Sequence, residues 1–284
     1  MQAGSGLLLW GGFAYLALPM PTGLAASADR KLATPRRGSI AVALIATIAI
    51  LPLRAADVGG GWAEAFDPVT LRALSFETRV GFARQCQTVA AIALALTNLL
   101  PSPTRRLATA AAAGLLLATL ALTGHTVSET GELGIVHRFD DAMHLLCGGA
   151  WLGALPPLLF TLAALKNPAL REEVVTALRR FSSAGHVAVA GVIATGALTT
   201  WLVLRHASID LASPYQRLLL CKLALVAAMV TLAICNRHRW VPQLKRHHVN
   251  ALNAIRRATM AEIALGCSEV AMVAVSDLLD PFDH

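Results

Sequence analysis

A short segment between two apolar stretches gathers the residues of this chain that are best suited to metal chemistry. Residues 123–153 read TGHTVSETGELGIVHRFDDAMHLLCGGAWLG. Their potential metal-binding side chains are His125, His137, His144, Asp140, Asp141 and Cys147. Imidazole suits copper, zinc, iron and nickel, and an added thiolate shifts the preference toward copper(I). The segment therefore indicates a transition-metal site, and the spacing alone names no metal.

We predict that His125, His144, Asp141 and Cys147 form this site. His125 ends one apolar stretch and His144 opens the next, so neighbouring antiparallel helices could bring the two imidazoles together. Asp141 lies three residues before His144 and Cys147 three after it, which places them on one helix face. Asp141 would hold an imidazole N–H and fix the tautomer. The alternative interpretation is that His125 and His144 cap helix ends and contact lipid headgroups. His137 is interpreted as a loop residue.

The composition is that of a membrane protein. Of the 284 residues, 56% are hydrophobic and 14% charged, whereas soluble proteins carry about 25% charged residues. Long runs of Ala, Leu, Val and Ile predict an all-α, polytopic transmembrane bundle that forms a single integral membrane domain over residues 1–284. The five cysteines are widely spaced without a CxxC motif, which argues against a dithiol or zinc-ribbon site.

Eight apolar segments are predicted to span the membrane. They lie near residues 5–26, 39–54, 86–101, 107–126, 142–165, 181–204, 217–236 and 257–278. No Lys or Arg precedes Arg30, which favours a retained first helix over a signal peptide. With both termini outside, about two thirds of the Lys and Arg residues fall in inner loops. The net charge of +7 is then explained by anionic lipid headgroups, without nucleic acid.

The order of several motifs resembles a known family. The motifs are TGH…D-x-x-HLL-x-x-x-AWLG-x-L, RFSSAGHVAVAGVIATGALTTWLVL, SPYQRLLLCKLALVAAMVTLAICNRHRWVP and AEIALG…VSDLLDP. In this order and spacing, residues 120–282 resemble the CopD/PcoD family of copper-resistance inner-membrane proteins. Two departures are that Gln216 stands where the family has Gly, and that the first two spans match only in hydropathy.

The resemblance implies an eight-helix protein of the bacterial inner membrane that moves copper from periplasm to cytoplasm; the loop charges place both termini in the periplasm. It also implies a small periplasmic copper-binding protein as a partner. The outer loop at about 55–85 is too short to contain a fused β-sandwich, so that partner would be a separate chain. Neither a catalytic triad nor an ATPase motif is found. The chain is therefore predicted not to be an enzyme, and any transport would use an ion gradient, the membrane potential or cytoplasmic trapping.

Three charged residues fall inside the predicted spans. Lys222 lies in the seventh span, and Glu262 and Glu269 share one face of the eighth. An ionisable group inside a bilayer is costly unless it is paired or wetted, so it marks a candidate functional position. These residues are interpreted either as part of an ion path or as a structural ion pair that fixes the register of the last two helices.

Two other functions remain open from the residues. Histidines on neighbouring membrane helices can ligate a b-type haem, although both candidate ligands lie near one membrane face. A non-transporting scaffold that docks a periplasmic copper carrier is the other alternative. A haem protein would show a Soret band, and a transport assay would separate a transporter from a scaffold.

Overall fold

The computed structural model describes residues 1–123, 131–204, 214–243 and 248–276, and within these ranges every regular element is helical. The α-helices are α1 (Gln2–Ala17), α2 (Thr22–Lys31), α3 (Ala33–Gly59), α4 (Pro68–Phe76), α5 (Arg79–Leu96), α6 (Ser102–Leu120), α7 (Gly131–Leu152), α8 (Leu155–Ala164), α9 (Arg171–Leu204), α10 (Pro214–Cys235), α11 (Val241–Gln243) and α12 (His248–Ser276). A π-helical turn at Asn236–Trp240 joins α10 to α11.

The all-α prediction is confirmed for the described residues. As far as the structure describes them, the predicted spans fall on one helix or on two consecutive helical elements. Among the residues that the structure describes, four segments are long and apolar enough to cross a membrane by length and composition, namely 33–59, 131–164, 168–202 and 216–243. The count of eight spans and the periplasmic position of both termini stay predictions.

The first predicted span is divided at its prolines. Helix α1 ends at Ala17 and α2 begins at Thr22, so Pro19 and Pro21 lie in the connection. Proline lacks the N–H that a helix interior needs, and it also restricts the residue before it. The two prolines therefore break this predicted span into two helices. Helix α3 contains the second predicted span, 39–54. The helix has 27 residues and is about 40 Å long, so it extends beyond the apolar stretch at both ends.

The segment between α3 and α5 consists of short helical pieces. Helix α3 ends at Gly59, and the next residue, Gly60, caps it with a φ of 78°, which is in the left-handed region that glycine adopts without strain. Asp67 then caps α4, since its Oδ2 accepts a hydrogen bond from the Thr70 N–H at 2.7 Å. This hydrogen bonding holds the pKa of the Asp67 carboxyl below its usual value.

Helix α7 connects the two halves of the bundle. Helix α1 packs against α3, α6 and α7, while α7 also packs against α9, and α10 packs against α12. The indole N–H of Trp10 on α1 donates to the Leu146 carbonyl of α7 at 2.8 Å. Helix α7 therefore lies between the N-terminal helices and the helices that follow. Its charged and potential metal-binding residues have the same position.

A buried ion-pair cluster joins α2, α3 and α6. The Asp29 carboxylate accepts from Arg36 Nη1 and from Arg105 Nη2, both at 2.8 Å, and from the Ser102 hydroxyl at 2.7 Å. The side chains of Asp29 and Arg36 are 1% and 2% exposed, and the Arg36 guanidinium lies over the Phe13 ring. In the predicted topology this cluster lies at the inner rim of the bundle.

Helices α1 and α7 meet backbone to backbone at glycines. A Cβ atom at Gly11 would lie 1.9 Å from the Gly149 carbonyl oxygen, and one at Gly153 would lie 2.0 Å from the Leu7 carbonyl oxygen. Small residues allow this kind of close approach, which supports helix association in lipid. Because the contacts involve backbone atoms on both sides, no side-chain rearrangement could make room for a larger residue.

We therefore expect Gly11→Ala to destabilise the protein strongly. Overpacking a filled interface costs about 1–3 kcal/mol or more, and here the new methyl group would meet main-chain atoms. The thermal unfolding temperature of the purified protein in detergent should fall clearly. Gly4→Ala on the same helix is the matched control, since a Cβ there meets nothing within 4 Å. Equal unfolding temperatures for the two variants would contradict this crossing.

Candidate metal site between α7 and α9

Two polar pairs connect α7 to α9 where these helices run side by side. His144 Nδ1 and Thr195 Oγ1 are 2.8 Å apart. The Thr199 hydroxyl donates to Asp140 Oδ2 at 2.7 Å. His144 and Asp140 are one turn apart on α7, and Thr195 and Thr199 are one turn apart on α9, so the helices are antiparallel and in register here.

Glycines on α9 allow the close approach that these pairs need. A Cβ at Gly191 would lie 2.4 Å from the Cys147 sulfur, and one at Gly196 would lie 3.5 Å from His144 Cε1. The first distance leaves no space for a side chain, whereas the second is an ordinary contact. Cys147 therefore packs directly on the α9 backbone, one turn beyond His144 on the same face of α7.

The hydrogen bonds of Thr195 fix the tautomer of His144. The Thr195 hydroxyl donates its proton to the Gly191 carbonyl at 2.7 Å. The same oxygen can then only accept from His144, so Nδ1 carries the imidazole proton. The lone pair of His144 is consequently on Nε2, which is the form in which a neutral imidazole binds a metal ion.

Charged groups of its own helix and of α10 interact electrostatically with this histidine. Asp140 is 4% exposed, and both Asp140 and Lys222 of α10 are within electrostatic range of His144. Glu269 of α12 is in turn within electrostatic range of Lys222. Electrostatic interactions thus connect His144 with Lys222, and Lys222 with Glu269, across α7, α10 and α12.

A second polar cluster lies further along α7. Glu262 of α12 is 2% exposed and accepts hydrogen bonds from the side chain of Asn236, at 2.7 Å, and from the side chain of Trp151. Asn236 is the first residue of the π-helical turn that follows α10. Such turns occur frequently at functional positions. Glu262 therefore links three helical elements through neutral donors.

Comparison with known proteins identifies the family. The profile described as Copper resistance protein D-like, N-terminal domain matches residues 1–135, and that described as Copper resistance protein D matches residues 175–276. Inner membrane protein YebZ of Escherichia coli K12 is 31% identical over 241 residues, which cover 84% of this chain and 81% of that protein. The chain belongs to the copper resistance protein D family.

Two further relatives of this chain have names that refer to copper. Copper resistance protein D of Pseudomonas syringae pathovar tomato is 29% identical over 84% of this chain and 81% of its own length. Copper transport protein CutJ of Bacillus subtilis 168 is 29% identical over 84% of this chain, which covers 44% of that protein. No solved structure gives a significant match. The relatives support a copper-related membrane function.

The predicted ligands of this copper resistance protein D family member are only partly described. His125 lies outside the described residues. His144 and Cys147 are on one face of α7, and Asp141 is half-buried on the same helix. Within the ranges that the structure describes, no group of three or more His, Cys, Asp or Glu side chains is arranged to hold a metal ion. The four-residue ligand set therefore stays a prediction.

The interpretation of His137 as a loop residue is wrong. Helix α7 begins at Gly131 rather than near residue 142, so His137 is helical, and it is 6% exposed. The polar residues between 131 and 141 made this part of the sequence resemble a loop. They nevertheless form helix, and Asp140 among them accepts a hydrogen bond from the Thr199 hydroxyl of α9.

The sequence alone did not identify several residues of this chain that form hydrogen bonds in the candidate site. These are Asp140 as the carboxylate bonded to α9, Thr195 and Thr199 as its bonding residues, and Trp151 and Asn236 as donors to Glu262. The spacing of the two threonines by one helical turn is a signal that could have found the first set, because it matches the spacing of Asp140 and His144.

Proposed function

We propose that this chain binds copper at the outer end of the α7–α9 contact and moves it across the bacterial inner membrane, or hands it over there. In this proposal the eight helical segments all span the membrane, with both termini in the periplasm. Copper is the cargo, and a separate small periplasmic copper-binding protein delivers it. The name of one relative, a copper transport protein, supports transport over a purely scaffolding role.

The single observation that carries the proposal is the state of His144. Its Nδ1–H is held by Thr195, and Nε2 is left with a lone pair. A hydrogen bond of this kind orients a ligating imidazole and raises its basicity. His125 would supply a second imidazole, while Asp141 and Cys147 would add oxygen and sulfur donors. Few strong ligands suit a site that must both collect and release an ion.

In the proposal, the path of the ion continues along α7 beyond His144. Cys147 and Trp151 follow His144 on α7, and Trp151 leads to the Glu262 cluster. A carboxylate bonded only by neutral side chains retains its capacity to bind a cation. In the proposal, Glu262 is the next stop for the ion on the inner side of His144.

Copper uptake by the purified chain in liposomes tests this function. Liposomes that contain the chain should accumulate copper faster than empty liposomes, without ATP, when copper is supplied outside. Absence of uptake together with a Soret band in the purified protein would contradict the proposal and favour the haem alternative. Absence of uptake without haem would favour the scaffold.

A further inference from the structure

Helices α5 and α6 form an apolar groove on the lateral surface of the bundle. Its volume is about 430 Å³, and it is lined by alanine and leucine side chains together with Thr97. The Thr97 hydroxyl donates to the Leu94 carbonyl at 2.7 Å and accepts from Thr109 at 3.1 Å. Leu96 and Leu115 of the lining are 56% and 53% exposed. The groove is therefore aliphatic and open to the side, where the proposed topology places lipid.

One end of this groove is basic. Leu100 lines the groove, and its carbonyl oxygen accepts a hydrogen bond from Arg105 Nη1 at 3.2 Å. On α6, the lining residue Ala108 follows Thr104 by four positions and Arg105 by three, so both residues lie on the helix face that borders the groove. Thr104 is exposed, and the Arg105 side chain is 21% exposed. The aliphatic groove therefore ends at a guanidinium and a hydroxyl that a ligand can reach.

Positive charge exceeds negative charge at this end of α6. Asp29 is the carboxylate that pairs with both Arg36 and Arg105, so this cluster retains a net positive charge. Arg106 is 8% exposed, and its Nε and Nη1 have no hydrogen-bond partner among the described residues. In the proposed topology the start of α6 lies at the cytoplasmic leaflet, where basic pockets between membrane helices bind anionic headgroups. The charge therefore complements a phosphate that carries a net negative charge.

We infer that the groove between α5 and α6 binds one anionic phospholipid, with an acyl chain in the groove and the phosphate beside Arg105 and Thr104. This inference rests on the membrane topology in the proposed function and is independent of the metal site. A second copy of this chain fits the groove less well. Copies in one membrane have the same orientation, so their basic ends would meet, and the contact of like charges is unfavourable.

Native mass spectrometry of the delipidated full chain, titrated with lipid in detergent, tests the headgroup. Phosphatidylglycerol should bind more tightly than phosphatidylcholine with the same acyl chains. Thr104→Glu should weaken binding of phosphatidylglycerol about fivefold, as expected for one charge near a headgroup, and should leave phosphatidylcholine binding unchanged. Thr104→Gln is the uncharged control and should bind like wild type. A carboxylate in the first turn of a helix is favourable, so Thr104→Glu should leave α6 folded.

Filling the groove tests the acyl chain separately. Ala111 is an exposed residue of the lining, so Ala111→Trp places an indole in the groove without entering the core. This variant should weaken binding of both phospholipids about tenfold, the loss expected when about two methylene groups are no longer buried. Leu107→Trp is the matched control, because Leu107 is 56% exposed on the same helix and lies outside the lining. It should bind both lipids like wild type.

The outcomes separate this inference from the proposed function, because the titration needs no copper. Equal affinity of wild type for the two phospholipids, or unchanged binding by Thr104→Glu or Ala111→Trp, would overturn the inference. Displacement of phosphatidylglycerol by inorganic phosphate, or a dimer in place of bound lipid, would overturn it as well. If lipid binding fails in these ways while liposomes with the chain take up copper, the proposed function stands. Selective lipid binding without copper uptake would leave this lipid site in place and refute the transport function alone.

Discussion

Replacing His144 by alanine should reduce copper accumulation in cells that express the chain to the level of cells without it. The substitution removes the imidazole that is bonded to Thr195 of α9, and with it the Nε2 lone pair. Neither Thr195 nor Asp140 can replace a nitrogen donor for copper. Cellular copper, normalised to the amount of chain in the membrane, is the measurement.

His186→Ala is the matched control for this loss. His186 lies on the same helix as Thr195, but it is exposed and bonds to Ser182 and Arg237. Its removal should leave accumulation near wild type. Thr195→Val should reduce copper affinity by about ten- to a hundredfold, which is the usual effect of losing a group that orients a metal ligand. Thr195→Ser should restore it. Full accumulation by His144→Ala at normal expression would contradict the assignment.

Asp29→Asn should cause the largest loss of stability of any single polar substitution in the N-terminal half. The carboxylate is 1% exposed and is bonded to two arginines. Removing one partner of a buried ion pair costs about 3–5 kcal/mol, because the remaining charge is left buried without compensation. Here Arg36 would keep an uncompensated guanidinium at a position that is almost completely enclosed.

The free energy of unfolding in mixed micelles measures this effect. Asp57→Asn is the control, since its ion pair with Arg54 spans 3.6 Å between side chains that are 71% and 56% exposed. An exposed pair contributes little, so this variant should unfold like wild type. Similar stability of the two variants would show that the Asp29 cluster is not buried as described.

The positions of the helices were accessible from sequence because apolar runs set them directly. In lipid each spanning segment must satisfy its own backbone hydrogen bonds, so a long apolar run in a membrane protein predicts a helix. The boundaries were less accessible. Helix α7 extends over the polar residues from Gly131 onward, and a hydropathy pattern cannot show that these residues have partners on α9.

The choice between two adjacent carboxylates shows the same limit within the candidate site. Asp140 and Asp141 lie four and three residues before His144, and both spacings fit one helix face. Which one meets α9 depends on how α7 is rotated about its axis. The packing of Cys147 on Gly191 and of His144 on Gly196 sets that rotation, and such long-range contacts are not encoded in local spacing.

The charged residues inside the apolar segments were easier to recognise from the sequence than the metal ligands. Lys222, Glu262 and Glu269 interrupt apolar segments, and the structure places all three near polar groups of neighbouring helices. The penalty for an isolated charge in a membrane makes this outcome expected. Their separation into a Lys222–Glu269 region and a Glu262 cluster depends on the packing of α12 against α7, α8 and α10.

Copper bound to the purified chain, compared side by side in wild type and His144→Ala, tests the central claim most directly. Metal analysis gives the amount, and X-ray absorption at the copper edge gives the nearest ligands. Wild type should retain stoichiometric copper with nitrogen in its first coordination shell, and the variant should lose that copper while remaining folded. Equal copper content and an unchanged spectrum in the variant would contradict the claim that His144 holds the ion.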